Sequence, residues 1–192
     1  MNYKKALWRS MVIIVILVLS MLCGLLFQFF YDKYERAAYP REFSEFVENY
    51  SEEYGVPAHI VYAVIKTESD FDSGAVSEAG AVGLMQMMPD TFTWLTTVTK
   101  DNHHKGMLYD PETNIEYGTY YLSYLYRKYG SWETVYAAYN AVEGNVDKWL
   151  GDKMDEGGAK KLDEIPFEET SGYVKKVKKA AEIYERLYYT EQ

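Results

Sequence analysis

The sequence predicts a mainly α-helical domain behind one N-terminal transmembrane helix. Three features predict it. Residues 11 to 30, MVIIVILVLSMLCGLLFQFF, hold no charged side chain. Beyond Pro40, apolar residues recur at helical spacing between proline and glycine punctuation, and no stretch of alternating polarity is long enough for a sheet-based core. Room for strand pairing remains only as a small β-hairpin within the Gly- and Ala-rich residues 72 to 88.

The apolar run comes first in the chain. A helix rises about 1.5 Å per residue, so residues 11 to 30 reach roughly 30 Å, the hydrocarbon thickness of a bilayer. Lys4, Lys5 and Arg9 precede the run, and this excess of positive charge marks residues 1 to 10 as a cytoplasmic stub and sends the chain beyond the run to the outside. A cleavable signal would have a shorter apolar stretch ending in small residues. Here the run ends in Phe27, Gln28, Phe29, Phe30 and Tyr31, which suit an interfacial belt and an uncleaved single-pass anchor. Cys23, the only cysteine, lies inside the run behind the large Leu22, which disfavours a lipid-modification site. The outer part therefore has no internal disulfide and depends on a packed core.

Residues 31 to 40, YDKYERAAYP, read as a polar linker, and residues 41 to 192 as one domain of ordinary size. The net charge is −9 and the first thirty residues contribute +3, so the remainder carries −12. So acidic a surface argues against nucleic acid as a partner.

Within that domain, Phe43, Phe46, Val47 and Tyr50 make an apolar stripe on a helix over residues 42 to 54, which Gly55 ends. Pro57 opens a second helix apolar enough to be buried, with Glu68 in its last turn. Pro89 starts a short helix through Trp94 and Val98. Asp110-Pro111 caps and opens a long one to Tyr129, Gly130 stops it, and Ser131 caps the next, WETVYAAYN. A loop near residues 151 to 161 precedes a final helix from Ser171 to Tyr189. Most of the twenty tyrosines fall at helical spacing and pack between helices. Lys175, Lys176, Lys178 and Lys179 read as a solvated face of the last helix.

Few side chains remain for chemistry. No two of His59, His103 and His104 stand one helical turn apart beside a glutamate, so no metal site is expected. The only thiol is in the membrane run, and no Gly-x-Ser-x-Gly turn is present. Carboxylates are left. Glu68 ends a buried helix, where burial and the negative end of the helix dipole both favour the protonated form that a general acid needs. Taken alone, a glutamate at a helix end is more often solvated.

Its context is more specific. TES at 67 to 69, GAVGLMQMMP at 80 to 89, AYNAVEGNVDKW at 138 to 149 and IPFEETSGYV at 165 to 174 resemble, in order and spacing, the motifs of the soluble-lytic-transglycosylase-like (SLT) domain family. The resemblance covers roughly residues 45 to 185. It implies a lysozyme-like α-helical fold of the goose-type kind, and an enzyme that cleaves peptidoglycan glycan strands between N-acetylmuramic acid and N-acetylglucosamine, leaving a 1,6-anhydro end. By the same resemblance Glu68 is the catalytic acid and base, Ser77 helps place the muramoyl acetamido group, and Gln86, with Met88 behind it, lines the groove. Tyr139 and Asn140 match a Tyr-Asn pair facing the carboxyl, and Glu169 and Tyr173 match the final motif. No metal or organic cofactor is implied.

Two departures stand out. Ala141-Val142-Glu143-Gly144 replaces the usual Ala-Gly-Pro-Gly, which would reshape one wall of the groove and add a charge to it, and Ser171 stands where relatives carry an arginine. A hydrolytic lysozyme on the same fold would want a second carboxylate, for which Asp70, Asp72, Glu78 and Glu143 are candidates. A non-catalytic wall-binding module would have no use for a raised-pKa carboxyl. The expectation for Glu68→Gln is loss of cleavage with thermal stability nearly unchanged.

Overall fold

The computed structural model describes residues 3 to 151 and 158 to 190. The chain separates into two compact units, Met1–Pro40 and Arg41–Gln192. In the first, α1 (Tyr3–Ala38) is one uninterrupted helix, so the residues read as a polar linker are helical as far as Ala38. The polar side chains of YDKYERAA supply no helix breaker, and only Pro40 does.

The second unit is helical throughout its regular structure. It comprises α2 (Ser44–Tyr54), α3 (Ala58–Glu68), α4 (Pro89–Thr99), α5 (Pro111–Tyr129), α6 (Trp132–Ala141), α7 (Glu143–Leu150) and α8 (Glu168–Tyr184), with a 3₁₀ turn at Lys105–Tyr109 and a π turn at Glu185–Tyr189. The breakers act where the sequence places them. Gly55 and Gly130 close α2 and α5 in the left-handed conformation. Asp110 accepts from the Thr113 N–H at 2.9 Å and caps α5. Ser131 occupies the N-cap of α6 but its side chain makes no capping bond there, which corrects the capping role read from sequence.

Two further differences concern the site. α8 begins at Glu168, three residues before the expected start, so Glu169 is helical and shares a register with Tyr173. α7 has no counterpart among the helices expected from sequence. It starts after Val142, which has φ 68° and ψ 134°, a backbone that β-branched residues rarely adopt.

Helix α3 is the centre of the unit. Ile60 through Ile65 are all buried, so no face of this stretch meets solvent. α8 packs on one side of it and α2 on another, while α6 bridges α8 and α5. At roughly 1.5–3 kcal/mol per large apolar side chain buried, this helix anchors the core and carries its C-terminus to the surface. Between α3 and α4, residues 72 to 88 form an ordered loop with two isolated antiparallel bridges, Val76 to Val82 and Val82 to Met87, in place of a regular hairpin.

Candidate active site

Glu68 is the last residue of α3, and its carboxyl leaves the core into a cleft. Two pockets meet there. One, of about 540 Å³, is lined by Thr67, Glu68 and Asn140 and by Glu168, Glu169, Gly172, Tyr173 and Lys176 of α8. The other, of about 390 Å³, is lined by Glu68, Tyr139, Asn140 and Glu169 and by the 72 to 88 loop through Ser77, Glu78, Ala79, Ala81, Gln86 and Met88. Glu68, Asn140 and Glu169 belong to both, so the carboxyl sits at the join.

Burial pushes the Glu68 carboxyl up to about 7. The phenol of Tyr173 works against this. Its hydroxyl is buried and meets no hydrogen-bond geometry with a partner, yet it stands near enough to favour the ionised carboxylate. Tyr139 does not donate to the carboxyl, because its hydroxyl donates to the Met85 carbonyl at 2.8 Å. Burial first, and then the nearby Glu68 charge, hold the Tyr139 phenol well above its ordinary range. Asn140 accepts from the Thr170 hydroxyl at 2.8 Å, which fixes its amide between the pockets.

The loop wall is fixed from within. Gln86 has φ 46° and donates from Nε2 to the carbonyls of Gly83 at 2.9 Å and Ala75 at 3.1 Å, so only its Oε1 remains to meet a ligand. The Ser77 hydroxyl oxygen accepts from the Ala81 N–H at 2.9 Å and closes the loop tip. Ser69, next to Glu68, donates to the Leu84 carbonyl at 2.8 Å, tying the end of α3 to the loop. The principal latch is Asn114 of α5. It is buried, accepts from Met85 N–H at 2.8 Å, and donates to the carbonyls of Val82 at 2.9 Å and Leu108 at 2.8 Å. Gly83 has φ 79°, and a Cβ there would collide with the Asn114 amide.

The structure thus brings Glu68, Ser77, Gln86, Met88, Tyr139, Asn140, Glu169 and Tyr173 to the walls of two adjoining pockets. Of the candidate second carboxylates, Glu78 alone lines either pocket. Asp70 pairs with Lys66, Asp72 accepts from Gly74 N–H at 2.9 Å, and Glu143 pairs with Lys128 at 3.3 Å. Glu143, Val142 and Ser171 line neither of these two pockets. Sequence reasoning missed Asn114, whose role depends on contacts between distant segments. It also missed Gly172 and Lys176, which follow from Glu169 and Tyr173 at helical spacing once α8 starts early enough.

A model of the transglycosylase SLT domain family matches residues 45–162. The chain belongs to this family. Over 144 residues this SLT chain is 37% identical to the soluble lytic murein transglycosylase of Escherichia coli strain K12, a match covering 72% of this chain and 22% of the relative. It is 37% identical over 116 residues to the membrane-bound lytic murein transglycosylase C of Edwardsiella ictaluri, covering 55% of this chain and 32% of the relative. Among solved structures, an inactive Glu-to-Gln mutant of the lytic transglycosylase Slt from Pseudomonas aeruginosa superposes with a TM-score of 0.72 at 31% identity, covering 80% of this chain and 25% of that one. A complex of the 70-kDa soluble lytic transglycosylase with bulgecin A gives a TM-score of 0.72 at 33% identity, covering 82% and 26%. The SLT fold is lysozyme-like and almost wholly helical, as the sequence leads one to expect. The chain spans between about a fifth and a third of these relatives' own length.

Proposed function

We propose that this SLT domain is a peptidoglycan lytic transglycosylase that cleaves the β-1,4 link between N-acetylmuramic acid and N-acetylglucosamine. The observation that carries the reading is a buried carboxyl, pushed up to about 7 by that burial, where two pockets meet, which is where a polymer lying through both would present its linkage. Neutral Glu68 protonates the bridging oxygen as the C1–O bond breaks. The resulting carboxylate takes the proton of the muramoyl 6-hydroxyl, whose oxygen bonds to C1 and closes the 1,6-anhydro ring. Glu68 is neutral again and no water is consumed. Because attacking oxygen and electrophile share a ring, the second step is intramolecular, which removes much of its entropic barrier. Ser77, Gln86, Met88, Tyr139, Asn140, Glu169 and Tyr173 hold the strand.

The same proposal places α1 in the cytoplasmic membrane, N-terminus inside and SLT domain outside. The stretch Leu7–Ala38 is helical and its most apolar window has mean hydropathy 2.9, the three basic residues precede it, and one relative is named as membrane-bound.

Hydrolysis is the second reading, favoured by Glu78 and Glu169, either of which could position a water beside Glu68. Purified peptidoglycan digested by the full chain in detergent, with products weighed by mass spectrometry, separates the two. Anhydro ends, lighter by one water, are expected. Reducing ends alone would make the enzyme a hydrolase, and no soluble product would make it a binding module.

A further inference from the structure

The run Met85-Gln86-Met87-Met88 holds three methionines, and the fold treats them differently. Met85 is fully buried against α5, where Gly118 is bare of the Cβ that would collide with its sulfur. Met87 exchanges both backbone hydrogen bonds with Val82, each at 3.0 Å, and is 2% exposed. Successive side chains of extended backbone point to opposite sides. Met88, at φ −70° and ψ 132°, therefore turns outward where Met87 turns in. It is 39% exposed and lines the smaller pocket beside Glu68, Ser77 and Gln86. Its sulfur is the only one on the walls of the two pockets. Of the other methionines, Met11 and Met21 lie in α1, Met107 is half-buried in the 3₁₀ turn and lines neither pocket, and Met1 and Met154 lie outside the described residues.

We propose that Met88 is a reversible oxidation site, and that its conversion to the sulfoxide shuts the cleft to glycan strands. The proposal rests on the cleft's being the glycan site. A hypohalous acid supplies the oxygen: an S–O bond forms as the O–halogen bond breaks, the sulfur gives up two electrons, the halogen leaves as halide and the proton goes to water. A methionine sulfoxide reductase fed by a thiol reverses the step, the oxygen leaving as water and the thiol becoming a disulfide. On the cleft wall the change exchanges apolar surface for a strong acceptor. The side-chain donors that line this pocket are few. The Gln86 amide is spent on the Gly83 and Ala75 carbonyls, which leaves the Ser77 hydroxyl, the Asn140 amide and Glu68 while it is neutral. A sulfoxide oxygen competes with the sugar for these, and Glu78 and Glu169 bring only further acceptors.

The test treats the full-length chain in detergent with limiting hypochlorous acid and locates the added oxygen by tandem mass spectrometry. Met88 should be oxidised ahead of Met85, Met87 and Met107, and lagging behind any of them would overturn the proposal. Binding of uncross-linked glycan strands is measured on the Glu68→Gln chain, apart from cleavage by the wild type. Treatment should weaken that binding about tenfold, and a sulfoxide reductase with dithiothreitol should restore it. Each variant is compared with its own untreated sample. With Met88→Leu, which keeps the volume and removes the sulfur, treatment should change nothing. Met107→Leu should lose binding on treatment as its parent does, and Met88→Gln should bind weakly without any oxidant. An equal loss in Met88→Leu would trace the damage to other side chains, Cys23 and the tryptophans among them, and would overturn the proposal. So would full binding by a chain shown to carry the Met88 sulfoxide. Cleavage that survives oxidation of Met88 sinks only the oxidation site. Binding that follows the expected pattern in a chain whose wild type never cleaves sinks only the enzymatic reading.

Discussion

The Glu68 carboxyl, raised to about 7 by burial, keeps its proton through the acidic range and loses it near neutrality. A group that must act first as an acid gives a kcat/KM that is level below about pH 6 and falls about tenfold per pH unit above about pH 8. A rate that climbed through neutrality would mean that the ionised form acts first. Stability depends on the same shift. With the folded value above the ordinary 4.5, the fold favours the protonated form, and that contribution is complete below the ordinary value and lost as pH rises through about 7. The wild type at about pH 8.5 therefore carries a penalty on the order of 3 kcal/mol. Urea melts should show Glu68→Gln equal to wild type at about pH 4 and more stable at about pH 8.5, so the expectation of unchanged stability holds only in acid. Val142 presents another local conflict. At φ 68° its branched side chain is strained, and it is 62% exposed, so little burial offsets the strain. Val142→Gly should stabilise the domain by about 1 kcal/mol net of the entropy that glycine adds to the unfolded chain. A melt showing destabilisation would refute this.

At the scale of elements, the 72 to 88 loop forms one cleft wall although it contains almost no regular structure. Its placement depends on Asn114, three of whose hydrogen bonds are buried with it. Asn114→Ala should cost about 2–4 kcal/mol in chemical denaturation and loosen Ser77 and Gln86, lowering cleavage more than the fold loss alone explains. If activity per folded molecule stayed at the wild-type level, the latch would be structural only. Sequence legibility divides along the same line. Pro57, Pro89, Asp110-Pro111, Gly55 and Gly130 act within one turn of where they stand, so the helices they bound could be read directly. α7 comes after a strained residue without a side-chain cap, and nothing local announces it. The cleft residues were legible only as ordered motifs. Asn114 bonds to segments 29 and 32 residues earlier in the chain, and it looks like any other polar residue of α5.

For the whole molecule, an α1 seated in a bilayer should keep the full chain with membranes through an alkaline carbonate wash, and protease added outside spheroplasts should degrade the SLT domain while sparing a short N-terminal fragment. Release by the wash would count against the anchor, and protection of the domain against its orientation. One feature of α1 then bears on where the proposed activity would fall. The helix runs to Ala38 and the second unit begins at Arg41, leaving Tyr39 and Pro40 between them, about 7 Å of chain at full stretch. Under the anchoring and activity proposed above, so short a connector would favour strands close to the lipid. On the same proposal, the supply of such strands along the membrane plane would limit turnover.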